Sequence, residues 1–193
     1  MKRASSWVAA GAVLMGLACP PLARSAGAQL TPQALQHARI LAQQTASSFQ
    51  SYVEGAGVYI SEANVASRKA WAVVVGNPPL SVANAGFKLP PMSAEGPIPN
   101  ARVKATFNVL QVIGAGTQVC LGVYKSGAQT GSFPGTQSGV LKGPGPVTLT
   151  SDAFTMQPGV HYEARAFLVS LPDIAGGGIN AGIAMVTDIK WEF

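Results

Sequence analysis

The sequence predicts a mainly β protein, in which an antiparallel β-sandwich or jelly-roll-like domain follows an N-terminal amphipathic α-helix. Three observations predict it. Apolar and polar residues alternate after residue 101, turn-forming Gly and Pro recur there every 8–15 residues, and apolar residues recur at intervals of three and four between residues 34 and 52. Alternation with one polar face is typical of antiparallel sheets. The 193 residues are 48% apolar and 11% charged, which excludes an intrinsically disordered chain.

Residues 1–28 have the pattern of a secretory signal peptide. Lys2 and Arg3 precede an apolar run of twelve residues, and Ala26-Gly27-Ala28 offers the small side chains that a signal peptidase requires. Twelve helical residues span about 18 Å, short of the roughly 30 Å hydrocarbon core, so we expect cleavage after Ala28 and no membrane span afterwards. Leu17-Ala18-Cys19 resembles the cut site of bacterial lipoproteins, which would imply lipidation of Cys19 instead.

Residues 29–76 are interpreted as an N-terminal helical segment. Thr31 and Pro32 suit a helix start, because Thr caps free N–H groups and Pro at the first helical position loses no hydrogen bond. The apolar stripe that follows predicts an amphipathic helix of about twenty residues, ending near Gly55. This helix either packs on the β domain or projects as an assembly element. Its candidate assembly residues are Leu41, Phe49 and Tyr52.

Two segments between residues 58 and 100 connect the helix to the β domain. Residues 58–60 and 71–75 fit two strands around a polar turn, whereas Ser61 would cap a second helix, and periodicity does not decide over so short a run. Residues 77–100 contain six prolines, which cannot donate hydrogen bonds to a sheet. We therefore expect a Pro-rich extended connector over 77–100.

The antiparallel β domain is assigned to residues 101–193. Its first strand alternates up to Val109, and the alternation shifts at Leu110, as a β-bulge would cause. Gly114-Ala115-Gly116 predicts a tight hairpin into the following strand, and the composition of residues 126–139 predicts a loop. Further strands are predicted over 147–150, over 160–171 and at the C-terminus.

The last strand has apolar residues at alternate positions. The side predicted to be apolar carries Ile183, Met185, Ile189, Trp191 and Phe193. A terminal Phe after such a pattern resembles the end of the strands in bacterial outer-membrane barrels, and a small outer-membrane β-barrel is therefore one alternative for the whole protein. A sandwich whose last strand is half buried explains the same residues.

The sequence shows no metal site and no nucleic-acid site. His37, Cys120 and His161 lack the spacing of metal ligands, so neither a metal nor another cofactor is expected. Lys and Arg do not cluster with interleaved aromatic residues, as nucleic-acid binding requires. Cys120 is the one cysteine left after cleavage, and we expect a small buried thiol there, with an intermolecular disulfide as the alternative.

A catalytic motif is also missing from the sequence. A triad assembled from Ser151 or Ser170 with His161 would lack the Gly-x-Ser-x-Gly elbow that exposes a nucleophilic serine. The alternation of His161, Glu163 and Arg165 is more typical of the exposed face of a strand. We therefore expect a protein that is not an enzyme.

Two aromatic residues are candidates for ligand binding. Phe133 lies in a stretch rich in Gly, Ser, Thr and Gln, and Trp71 lies in the run Ala-Trp-Ala-Val-Val-Val. An exposed aromatic ring can stack on a sugar ring, as in β-sandwich glycan binders. In so apolar a run, however, Trp71 is more typical of a core residue.

Together these features favour an exported, non-enzymatic structural or assembly subunit in the periplasm, at the bacterial cell surface or outside the cell. A glycan- or polymer-binding module is the first alternative. Loss of residues 1–28 removes three basic residues, which lowers the net charge from +5 to +2. A chain with so little charge favours contact with neutral surfaces, through self-association or with another cell-envelope protein, since few charged groups must be desolvated.

Overall fold

The structure, a computed structural model, consists mainly of β-strands in the part of the chain that it describes. It describes residues 32, 36, 48–75, 81–125, 133–141, 143–172 and 178–193. Within these residues, no helix is long and apolar enough to cross a bilayer. The strands are β1 (Gln50–Ala56), β2 (Tyr59–Asn64), β3 (Lys69–Val75), β4 (Val82–Lys88), β5 (Met92–Ser93), β6 (Ile98–Ile113), β7 (Thr117–Lys125), β8 (Phe133–Val140), β9 (Gly145–Thr150), β10 (Phe154–Met156), β11 (His161–Ser170) and β12 (Ile179–Glu192).

The strands form two antiparallel sheets that pack face to face. The first sheet has the order β1-β4-β11-β7-β8, and β5 continues the line of β4 along β11. The second sheet has the order β10-β6-β12-β3-β2, and β9 lies beside β10 along β6. Among the described strands, β1 and β8 form the edges of the first sheet, β2 forms one edge of the second, and the two sheets together are sandwich-like. This confirms the antiparallel sandwich that the alternating pattern predicts.

The core lies between the two sheets and is contributed by alternate residues of their central strands. Each large aliphatic or aromatic side chain buried there stabilises the fold by about 1.5–3 kcal/mol relative to an exposed position. The largest fully buried side chains include Phe87, Leu121, Tyr162 and Leu168 of the first sheet and Val74, Val103, Phe107 and Ile189 of the second.

The long strand β6 follows the predicted pattern closely. Val103, Ala105, Phe107 and Val109 are buried, and the register against β12 then slips by one residue at Leu110. The slip is the predicted β-bulge, since two residues of β6 lie opposite one residue of β12. After the bulge the side chains of β6 change faces.

The C-terminal strand β12 differs from its prediction because it carries a second bulge. Its register against β6 shifts at Thr187, which reverses the faces on either side. Ile189 and Trp191 are buried as predicted, but Ile183 and Met185 lie on the opposite, outer face of the sheet. The uninterrupted alternation predicted for this strand is therefore wrong before Thr187.

The N-terminal helical segment is wrong from Gln50 onward. Tyr52 lies in β1, and residues 59–75 form the hairpin β2–β3, which confirms the two-strand alternative for that region. The reason is that β4 and β3 offer complete hydrogen-bond ladders to these segments, and tertiary pairing overrides a short helical pattern. Leu41 and most of the predicted helix lie outside the described residues, so a helix there stays a prediction.

The Pro-rich region is not a connector, because β4 lies within it. Residues 82–88 contain no proline, and β4 is paired on both sides, with β1 and with β11. Pro90 and Pro91 stand in the gap between β4 and β5, where the ladder is interrupted. Prolines in this region mark strand ends, and they do not exclude a central strand between them.

Two connections predicted from the sequence also differ from those in the structure. Gly114-Ala115-Gly116 does not close a hairpin, because β6 and β7 belong to different sheets. Gly114 has a φ of 76°, and a side chain there would overlap Asn180, whose Oδ1 accepts a hydrogen bond from the Gly116 N–H. Residues 133–140 of the predicted loop form β8, which pairs with β7.

Candidate functional site

The outer face of the second sheet divides into an apolar half and a charged half. Cross-strand register places Ile60, Val73, Ala181 and Ile113 in one row. The next row consists of Glu62, Trp71, Ile183 and Gln111, with Glu62 on the edge strand β2. We call this apolar half the Trp71 face. It surrounds a groove of about 370 Å³ lined by Ile60, Trp71, Val73, Gln111, Ile113, Ile179, Ala181, Gly182 and Ile183.

Large apolar side chains on the Trp71 face are open to solvent. Trp71 is 39% exposed, Ile113 45%, Ile179 50% and Ile60 57%. The prediction that Trp71 belongs to the core is therefore wrong, because Ala70, Ala72 and Val74 fill the inner face of β3 instead. A contiguous exposed apolar surface of this kind marks an interaction site in soluble proteins.

The other half of the same sheet face is polar. Its residues continue the rows of β6 and β12 beyond the Trp71 face, and Lys190 Nζ lies 3.5 Å from Glu192 Oε1 in an exposed ion pair. The residues placed there by the register include Arg102, Lys104, Thr106, Asp188, Lys190 and Glu192. The boundary between the halves confines the apolar surface to one end of the sandwich.

The outer face of the first sheet contains charged residues that are buried. Glu163 and Arg165 of β11 are only 3% and 8% exposed, so the predicted exposed strand face is wrong for both. The Arg165 Nε donates to Glu163 Oε1, and Lys88 Nζ lies 2.9 Å from Glu163 Oε2. One carboxylate is thus held between two cations in a site with little water, which strengthens each contact.

Tyr124 of the neighbouring strand β7 and Tyr52 of β1, which lies beyond β4, cover this ion-pair network. The guanidinium carbon of Arg165 lies 4.9 Å from the ring centroid of Tyr52 and 4.2 Å from that of Tyr124. Tyr124 has room to lie along the sheet because Gly122 carries no side chain, and a Cβ there would come within 2.6 Å of the ring. We call Tyr52, Lys88, Tyr124, Glu163 and Arg165 the Arg165 cluster.

The directions of the pKa shifts within the cluster agree with side chains that are buried and hydrogen-bonded to one another. Burial opposes the charge of Arg165, but the hydrogen bond and negative charge of Glu163 outweigh it and raise the Arg165 pKa. Burial, with a hydrogen bond to Glu54, raises the pKa of Tyr52, and burial also raises the pKa of Tyr124. At neutral pH both tyrosines stay protonated and Arg165 stays charged.

The predicted assembly residues have partners within the chain. Phe49 packs edge-on against Phe87 at a centroid distance of 6.1 Å, and Tyr52 packs against Phe167 at 5.2 Å. Both are half-buried, and an assembly role for them stays a prediction, as it does for Leu41, which lies outside the described residues. The backbone of Phe133 begins β8 and pairs with Val123, and its role in ligand binding stays a prediction.

The serines considered as nucleophiles form hydrogen bonds with backbone groups of other strands. Ser151 Oγ accepts a 2.9 Å hydrogen bond from Val103 N–H, and Ser170 Oγ donates to the Ala72 carbonyl at 2.8 Å. His161 pairs with Ser93 at the start of β11 and is exposed. Among the described residues, no three His, Cys, Asp or Glu side chains are grouped so that they would hold a metal ion.

Comparisons with known proteins give distant similarities only. No family model matches the chain, and no curated protein matches it. The enzymatically active domain of bacteriophage CBA120 tailspike protein 4 is similar over 72% of this chain, with 14% identity and a TM-score of 0.33, and the chain covers 19% of that longer one.

Two further solved structures show similarity at the same level. TmCBM61, determined in complex with β-1,4-galactotriose, is 15% identical with a TM-score of 0.33, over 78% of this chain and 92% of that one. Broad Bean Stain Virus contains a chain that is 9% identical with a TM-score of 0.31, over 72% of this chain and 87% of that one. Likeness this distant says nothing of what this chain binds.

Proposed function

We propose that this chain is an exported, non-enzymatic assembly subunit that associates with a second copy of itself through the Trp71 face. The observation that carries the proposal is the exposure of Trp71, Ile60, Ile113 and Ile179 on one continuous sheet face. Leaving these side chains in water costs free energy that burial against a partner recovers, at about 25 cal/mol per Å² of apolar surface. The apolar N-terminal run supports export.

A second copy suits this surface because the lining of the groove contains no charged residue, while Glu62, opposite Trp71 on the edge strand β2, borders it. In a two-fold pair each subunit presents the same residues, and an apolar patch meets its own image without repulsion between like charges. The charged half, with Arg102, Lys104 and Lys190 beside Asp188 and Glu192, then lies at the rim and brings both signs of charge there. An apolar centre with a polar rim is the usual anatomy of a protein interface.

A glycan is the second candidate ligand of the same face. The exposed ring of Trp71 and the amide of Gln111 line one groove, and this pairs a stacking surface with a hydrogen-bonding group. Sugar recognition commonly combines an apolar wall with a few polar groups.

The test compares Trp71→Glu with Asn108→Glu in residues 29–193. Both add one carboxylate to the outer face of the second sheet, and Asn108 lies outside the groove. Sedimentation over a range of concentrations is expected to show self-association weakened about thirtyfold or more by Trp71→Glu, the effect of losing a central aromatic anchor worth about 2 kcal/mol. Asn108→Glu is expected to leave it unchanged.

A parent chain that stays monomeric at the highest attainable concentration, or equal effects of the two changes, would overturn the assembly proposal. A glycan array probed with the same two variants tests the second candidate. Binding that Trp71→Glu abolishes and Asn108→Glu preserves would assign a sugar to the groove.

A further inference from the structure

We infer that two copies of the chain meet at the Trp71 face across a two-fold axis parallel to the strands, with Glu62 of each hydrogen-bonded to Gln111 of the partner subunit. The inference rests on the proposed function, because it describes how the second copy sits on that same face. It is carried by the order of residues across the sheet, by their exposure and by the charge of Glu62.

Two neighbouring rows of side chains cross the Trp71 face from the edge strand β2, through β3 and β12, to β6. In that order the first row is Ile60, Val73, Ala181 and Ile113, and the second is Glu62, Trp71, Ile183 and Gln111. The second row thus has apolar residues in its middle and a polar residue at each end. One end carries a carboxylate, which accepts hydrogen bonds, and the other carries an amide, whose nitrogen donates them. The two ends are therefore chemically complementary.

The polar ends of the second row need partners when the face is buried. Glu62 and Gln111 are exposed, so both side chains are open to water in the free subunit. A carboxylate that loses water without gaining a donor opposes association. Burial of Trp71 against a second copy therefore favours the orientation that brings a donor to Glu62.

A two-fold axis parallel to the strands brings such a donor. An axis midway between β3 and β12 places β3 over the β12 strand of the second copy, and β2 over its β6 strand. Each row then meets its own image in reverse order, so that Glu62 faces Gln111 of the partner subunit. The same operation sets Trp71 against Ile183 of the partner subunit, and each contact occurs twice in the pair.

A two-fold axis along the rows gives the opposite result. It places each strand over its own copy, so Glu62 would face Glu62 of the partner subunit, and neither carboxylate would gain a donor. Like charges brought together as water is removed repel each other and lower the affinity. Charge complementarity therefore selects the axis parallel to the strands.

The dimensions of packed sheets allow the contact. Because neighbouring strands are about 4.8 Å apart, β2 and β6 each lie about 7 Å from the axis. Face-to-face sheets cross at about 30°, which displaces residues at that distance by about 4 Å. Packed sheets are about 10 Å apart, and Glu62 and Gln111 extend long, flexible side chains into the gap from both sides. A displacement of this size is within their reach.

The experiment exchanges the two end groups of the row in residues 29–193 and measures the dissociation constant by sedimentation. Gln111→Glu sets a carboxylate against Glu62 of the partner subunit at two places, and it is expected to weaken self-association about tenfold or more. Adding Glu62→Gln restores a carboxylate–amide pair in the opposite order, and self-association is expected to return to within about threefold of the parent. Both positions are exposed, and unchanged thermal unfolding confirms that the variants fold.

A third variant separates the two orientations. With the axis parallel to the strands, Gln111→Lys sets an ammonium beside Glu62 of the partner subunit. It is expected to tighten self-association about tenfold at low salt, and less at about 1 M salt, where charges are screened within about 3 Å. With the axis along the rows, the new lysine would face its own copy and weaken self-association. Asn108→Lys is the matched control, because Asn108 lies on the same strand outside the groove, and it is expected to have no effect.

Weaker association of Gln111→Lys, or a loss in Gln111→Glu that Glu62→Gln does not restore, would overturn the inference. Equal effects of Gln111→Lys and Asn108→Lys would also overturn it, because a charge anywhere on the face would then suffice. If Trp71→Glu still weakens self-association in these cases, the assembly function stands with another orientation of the two copies. A parent chain that stays monomeric would overturn both.

Discussion

The outer faces of the two sheets reverse the usual relation between polarity and burial. On the first sheet, the charged side chains of Glu163 and Arg165 are 3% and 8% exposed. On the second sheet, Ile60 and Ile179 are at least half exposed. The difference comes from the neighbouring side chains: on the first sheet they cover the charged residues, and on the second sheet they leave the apolar residues exposed.

The neighbours explain both cases. Tyr124 reaches over β11 from the adjacent strand β7, and Tyr52 reaches over it from β1, across β4, so that the two rings exclude water from the ion pairs. On the Trp71 face, Trp71 lies between Glu62 of the edge strand β2 and Ile183 of the central strand β12, and it remains 39% exposed beside them. Two aromatic rings therefore cover the charges of the first sheet, whereas the cross-strand neighbours of Trp71 leave its indole open to solvent.

The largest effect is expected from a substitution that breaks the buried ion pairs on the outer face of the first sheet. Arg165→Leu removes one of the two cations that hold Glu163 and leaves its buried carboxylate with Lys88 alone. We expect it to lower the free energy of unfolding by about 3 kcal/mol, the lower end of the cost of breaking a buried ion pair. Lys190→Leu is the matched control, because Lys190 pairs with Glu192 in a bridge whose side chains are 44% and 41% exposed. It is expected to change stability by about 1 kcal/mol at most.

Urea unfolding of both variants measures this difference. Similar losses for the two variants would mean that the Arg165 cluster is no more closed to water than the exposed pair, and the comparison between the two faces would fail. A loss for Arg165→Leu that Glu163→Gln largely reverses in the double variant would assign the cost to the buried carboxylate that has lost one of its two cations.

A smaller effect is expected from a single methyl group under Tyr52. Gly86 lies opposite Tyr52 on one side and Phe167 on the other, and a Cβ there would overlap the Ala166 carbonyl oxygen and the Phe167 Cα. Gly86→Ala is expected to cost about 1–3 kcal/mol, since the backbone of β11 must move.

Gly96→Ala is the control for this change, because nothing lies within 4 Å of a Cβ at that position. It is expected to be neutral or slightly stabilising, as a loop alanine restricts the unfolded chain. Thermal unfolding compares the two variants, and equal melting temperatures would contradict the close packing of the first sheet's outer face.

The sequence predicts the sandwich better than it predicts where each strand lies. Alternation identifies β6 and its bulge at Leu110, because one face is apolar and the other polar over many residues. It fails in β12, where one extra residue at Thr187 reverses the faces. It fails for β4, because prolines at both ends obscure a strand that pairs on both sides.

The candidate site could not be predicted from the sequence for a related reason. The run around Trp71 is apolar on both faces, so periodicity does not show that the inner face is filled by Ala70 and Ala72 while the indole faces outward. Glu163 and Arg165 have the spacing of an exposed face, and only the three-dimensional position of Tyr52 and Tyr124 reveals their burial.

The smallest expected effect is a loss of stability at alkaline pH, produced by buried titratable groups on the outer face of the first sheet. Burial raises the pKa of the Cys120 thiol from 9.0 to about 11, because it lies beside Tyr124 and Phe167 on the outer face of the first sheet. A raised pKa in the folded state means that the unfolded chain loses its proton first. Stability is therefore intact below pH 9 and falls as the pH rises towards 11, by roughly 1 kcal/mol at pH 10.

Cys120→Ala is expected to flatten this part of the profile, measured as the free energy of urea unfolding at pH 8, 9, 10 and 11. Tyr52 and Tyr124, whose pKa values burial also raises, add a further loss above pH 10 that persists in Cys120→Ala and shrinks in Tyr52→Phe. A Cys120→Ala profile parallel to that of the parent between pH 9 and 10 would show that the thiol is open to water. On the outer face of the first sheet, solvent would then be excluded only from the ion pairs. The Arg165 cluster alone would still differ from the Trp71 face in its exposure to water.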